Sequence, residues 1–190
     1  MYRAVKSWLV ETLYNLTEQS ASNKFISDFG DSNSHQSENN PDHSQQKINS
    51  LMSLLRKTPW WIQGHLRLGV LALSLKEIDL AFASFHAMRN LGAEKDLRLE
   101  MTLGLSSCYL ARGKPEEAIK ELQILPKGQA WDSRVKENLA AGYMAQENFK
   151  EALRELSEIP EMKRSAEISV TLDSLRDRLR TIKVGSSTSG

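Results

Sequence analysis

The feature that most constrains this chain is a spacing. Residues 105–125 read LSSCYLARGKPEEAIKELQIL, two amphipathic helical segments parted by Gly113, Lys114 and Pro115. Residues 139–159, LAAGYMAQENFKEALRELSEI, return to the same grammar one period later. Leu105 answers to Leu139, Tyr109 to Tyr143, Ala118 to Ala152 and Leu122 to Leu156, each pair 34 residues apart. A two-helix unit of that length cannot bury its apolar face alone, so a fixed period predicts hairpins stacked side by side. The expected fold class is all-α.

Punctuation along the chain sets the elements. Pro41 and Asp42 announce the folded part, and Asp42 or Ser44 can cap a helix striped by Ile48, Leu51, Met52, Leu54 and Leu55. Thr58-Pro59 ends it, because a residue before proline is driven from helical geometry. A very apolar helix over 60–75 is followed by one over 78–90, whose Leu80, Ala81, Phe85 and Met88 face inward, and Gly92 closes the hairpin. Helices over 97–111 and 115–125 make the next pair, with Gly113 ending one and Pro115 starting the other, where a missing N–H costs least. Helices over 135–146 and 149–159 make the third, stopped by Pro160. The step from Ala81 to Ala118 is 37 residues, three more than the next, and the extra length is expected in the 92–95 loop.

The last helix, 166–184, carries Ile168, Leu172, Leu175, Leu179 and Ile182 in a heptad seam. As the terminal helix of an array it would cover the open end of the core, with Arg176, Arg178, Arg180 and Lys183 on its solvated back. The alternative is a coiled coil with a second copy, giving a homo-oligomer. Residues 185–190 read as a flexible tail. At the other end, 1–16 is a short amphipathic helix with Val5, Trp8, Leu9, Leu13 and Leu16 on one face. Three uses are open to it: packing on its own domain, binding a separate protein, or lying on a membrane, the last disfavoured by having only Arg3 and Lys6 as cations. Residues 17–43 are rich in Ser, Asn, Gln and Asp, bury too little to offset chain entropy, and are expected to be a disordered linker.

Several function classes find no support. The formal net charge is +1, and no nucleic-acid signature accompanies it. One cysteine, Cys108, rules out an intramolecular disulfide and a cysteine-based zinc site. No apolar run approaches the roughly 18 residues of a membrane span, so a cytoplasmic protein is the default expectation. His35, His43, His65 and His86 show no metal-ligand spacing, and no phosphate loop, HExxH, GxSxG or CxxC motif occurs. Neither an enzyme nor a cofactor is expected.

Small residues at Gly69, Ser106 and Ala140, aromatics at Tyr109 and Tyr143, and Ala81, Ala118 and Ala152 followed by Phe85, Leu122 and Leu156 together resemble the tetratricopeptide repeat. The bulky first residue of that pattern is missing from all three units, and the first unit lacks the aromatic. The resemblance covers about 59–166, with units at about 62–95, 99–132 and 133–166 in a domain spanning 44–184. It implies a right-handed superhelix whose inner surface, lined by the first helix of each hairpin, holds a peptide or helix segment of another protein. The residues expected on that surface are Gln63, Leu66, Arg67, Val70 and Leu73 in the first unit. Glu100, Leu103, Ser107 and Leu110 follow in the second, and Arg134, Glu137, Asn138 and Ala141 in the third. Leu66, Val70 and Leu103 stand where chaperone-binding members carry clamp residues, and Arg134 is the lone inward cation, so acidic C-terminal tails are not the expected ligand. The expected function is a non-catalytic adaptor, in one version regulated by its own N-terminal helix. A self-associating scaffold or a peripheral membrane assembly factor using the terminal helices is the alternative.

Overall fold

The computed structural model describes residues 41–93, 95–130 and 132–187; the expected N-terminal helix and the linker up to residue 40 lie outside the described residues. Every regular element among those described is helical. In chain order they are α1 (Pro41–Lys57), α2 (Ile62–Ser74), α3 (Ile78–Asn90), α4 (Lys95–Ala111), α5 (Pro115–Gln123), α6 (Lys127–Ala130), α7 (Ser133–Ala145), α8 (Phe149–Ser157), a 3-10 turn (Glu161–Lys163) and α9 (Ala166–Ser187). The chain forms two compact units divided inside α4, after Cys108.

In the first unit α1 packs on α2, and α2 on α3. Ile48 and Leu55 of α1 meet Leu68 of α2, with Leu51, Met52, Trp61, Leu71, Leu75 and Leu80 gathered around them. Leu54, on the same expected stripe, is half exposed, so the inward face of α1 is narrower than its apolar pattern. Phe85 of α3 is fully enclosed. Its ring occupies the space that side chains would need at both Gly69 of α2 and Gly104 of α4, lying 2.8 Å and 2.3 Å from ideal Cβ positions there. Two glycines therefore let the largest core side chain of this unit sit between two helices.

In the second unit α5 packs on α7, α7 on α8, and α8 on α9. Gly142 of α7 admits Ile119 of α5, whose Cγ1 lies 2.7 Å from the position a Cβ would take. Ala118, Leu122, Val135, Leu139, Ala140, Ala152 and Leu156 complete an apolar interior, and α9 closes it with Ile168, Leu172 and Leu175. Further along the heptad seam Ile182 is 54% exposed, so α8 takes only the first part of that seam. Two polar ties hold the last hairpin. Lys136 of α7 pairs with Glu155 at 2.8 Å and with Glu158. The Arg164 guanidinium donates to the carbonyls of Ile159 (2.8 Å) and Ser157 (2.9 Å), orphan acceptors at the end of α8.

One turn recurs through the array. After α2, Lys76 N–H donates to Leu73 O and Glu77 N–H to Ala72 O, with Lys76 in the left-handed region at φ 64°. The same pair of bonds closes α4 at Gly113 (φ 72°) and α7 at Glu147 (φ 59°). This is the Schellman closure, which satisfies the last helical carbonyls. The intervals are 37 and 34 residues, those of Ala81, Ala118 and Ala152. Gly92 ends α3 in the same manner.

Several boundaries differ from expectation. α1 starts at Pro41, within what reads as linker, because proline suits the first helical position. The three extra residues of the first unit are not in the 92–95 loop. α3 has 13 residues against 9 in α5 and in α8, an added turn of helix. α9 runs on to Ser187, through residues 185–187 that read as tail. The short helix α6 is not foreshadowed by periodicity at all.

Candidate functional site

The expected inner-face residues separate into those with surface and those without. In the first unit Gln63 is exposed, and Leu66, Arg67 and Glu100 are half-buried. The Arg67 guanidinium lies 5.9 Å from the centroid of the Trp61 ring, a distance at which a cation still feels the ring face. Val70 is buried, while Leu73 and Leu103 are 2% and 0% exposed and belong to the interior. Ser107 is buried with its hydroxyl donating to Leu103 O at 2.9 Å, so its polarity is spent on its own helix. The inner-face assignment of Leu73, Leu103 and Ser107 therefore needs correcting. A helix in a stack is covered from two sides, and only a strip of the face that periodicity marks keeps any surface.

In the second unit Leu110, Ala141 and Asn138 are buried, Asn138 at 2%, and they too leave the surface set. Arg134 and Glu137 remain, at the start of α7. Asp132 caps that helix by accepting from Arg134 N–H at 2.9 Å. Its two oxygens also take Arg134 Nε and Nη2, each at 2.9 Å, in a two-pronged pair. Burial pushes the Asp132 carboxyl up, yet the Arg134 guanidinium and N–H more than offset it and hold the group below its ordinary value. The expected lone inward cation is thus already neutralised by a residue outside the expected set. An Asp directly before an apolar-periodic helix was the available signal for it.

Glu137 is the reverse case. It is 7% exposed, and burial together with the nearby Asp132 charge raises its carboxyl from 4.5 to about 7, which Arg134 only partly counters. No hydrogen bond contributes to its charged form. The other cation of this helix, Lys136, is turned to α8; burial lowers its ammonium, but Glu155 and Glu158 outweigh that and hold it above the ordinary lysine value. A buried carboxylate without a compensating cation is costly, and such perturbed groups cluster at sites of function.

Among the described residues no three His, Cys, Asp or Glu side chains gather to hold a metal ion, and no helix is long and apolar enough to cross a membrane. Cys108 has no exposed surface, and the His86 ring lies against Phe82 with centroids 4.3 Å apart. No protein-family model, curated protein or solved structure matches this chain.

Proposed function

We propose that this chain is a non-catalytic adaptor, a right-handed superhelical array of the tetratricopeptide type whose first helices hold a peptide or helix segment of another protein. The observation that carries this reading is the recurrent left-handed closure at Lys76, Gly113 and Glu147, spaced as the sequence period is spaced. Identical closures at a fixed interval are what a chain of like hairpins requires, and such arrays present one extended face made of corresponding helices. Gln63, Leu66, Arg67, Glu100, Arg134 and Glu137 are the residues of α2, α4 and α7 through which the segment is held.

A photo-crosslinking amino acid placed at Leu66, half-buried on α2, tests the reading against one at Ser53, exposed on α1. Peptides selected from a random dodecapeptide phage library on the full chain should crosslink from Leu66 and not from Ser53. Equal crosslinking from both, or no peptide selected at all, would overturn the adaptor reading. Self-association through α9 competes with its own packing, since Ile168, Leu172 and Leu175 are already buried in the chain.

A further inference from the structure

We propose that Glu137, with Asp132 and Arg134 fixed beside it, forms a subsite for one cationic side chain, a lysine or arginine, of the bound segment. This rests on the adaptor reading above and specifies the partner's chemistry. Three arrangements carry it. Glu137 sits in the second turn of α7, past the first turn in which the helix dipole favours acids least expensively. The cation nearest in sequence, Arg134, is held on both carboxylate oxygens of Asp132, and Lys136 is held by Glu155 and Glu158 on α8. With Arg134 and Asp132 cancelling, an ionised Glu137 leaves one negative charge uncompensated at a nearly enclosed position.

A carboxylate so placed binds a desolvated cation more strongly than a surface acid does, because water competes less for both groups. It also rejects an acidic side chain at the same place, which gives the site selectivity by exclusion. Its raised proton affinity is what an enclosed acid awaiting a counter-ion should have. The polar character of the subsite contrasts with Leu66 on α2, so a segment combining one cation with apolar anchors is the partner chemistry that fits.

The test pans the random dodecapeptide phage library against the full wild-type chain and against Glu137→Gln, which keeps shape and removes charge. Wild-type selections should be enriched in Lys or Arg at one position relative to their apolar anchors, and the enrichment should vanish for Glu137→Gln. A selected lysine peptide and its norleucine analogue are then measured on both proteins. The expected coupling is tenfold or more: the lysine peptide loses affinity for Glu137→Gln, while the norleucine peptide does not. A circular-dichroism melt at or above the wild-type midpoint shows that the variant is folded, and Glu137→Met, which removes both charge and hydrogen bonding, serves as a second variant expected to behave alike. Peptides selected without a cation, or with a cation uncoupled to Glu137, overturn this subsite alone. Failure to select any peptide overturns the adaptor reading and the subsite with it.

Discussion

The edge of the Phe85 ring lies 2.3 Å from where a Cβ on Gly104 would stand, closer than two unbonded carbons can approach. Alanine gains about 1 kcal/mol of helix propensity over glycine, but here it would force a fully enclosed ring off its rotamer. Over-packing of this kind costs about 1–3 kcal/mol. Gly104→Ala is expected to destabilise the protein by about 2 kcal/mol in urea denaturation. Adding Phe85→Leu should recover part of the Gly104→Ala loss, so that the pair is less damaging than the sum of its members.

Lys76 and Glu147 adopt the left-handed conformation that Gly92 and Gly113 adopt without strain. An L-residue there costs roughly 1–2 kcal/mol. Lys76→Gly and Glu147→Gly should each raise stability by about 1 kcal/mol, partly reduced by the entropy glycine adds to the unfolded chain. Lying in separate units, the two gains should add, as thermal or urea unfolding of the double variant can read.

The Glu137 carboxyl titrates near 7 in the folded chain against 4.5 in the ordinary state. Between those values the folded form binds more protons than the unfolded one, so stability falls as pH rises through that window and is lowest above it. The difference corresponds to up to about 3 kcal/mol. Glu137→Gln should abolish this slope and be more stable than wild type at pH 8, with little difference at pH 4.

Asp132 serves α7 twice, as cap and as the partner of Arg134. Asp132→Ala is expected to cost about 1–2 kcal/mol. Removing its charge should also lower the Glu137 titration point, both by ending the repulsion and by leaving Arg134 to approach, a shift that carboxylate NMR would follow.

The all-helical class and the hairpin boundaries were legible because glycine, proline and the apolar stripes mark them locally. Pro115, Gly113 and Gly92 act where their backbone chemistry says they should. Other features answer to neighbours rather than to the period. Gly104 has Asn138 as its counterpart 34 residues on, and Gly142 has Cys108 the same distance back. Each glycine is there for one particular side chain, Phe85 or Ile119, which no repeat pattern encodes. The left-handed turns at Lys76 and Glu147 were hidden because residue type disfavours them and only position explains them. For the candidate site, helical phase picked out a face correctly but not which part of it neighbouring helices cover, so Leu73, Leu103 and Asn138 were misplaced and Asp132 was missed.

Hydrogen–deuterium exchange on the full chain, with and without a peptide selected from the library, tests the central claim most directly. The account predicts slowed exchange in α2, α4 and α7, the first helices of the three hairpins, with α3, α5 and α8 unchanged. Protection confined to α1 or α9, or spread equally over first and second helices, would contradict it.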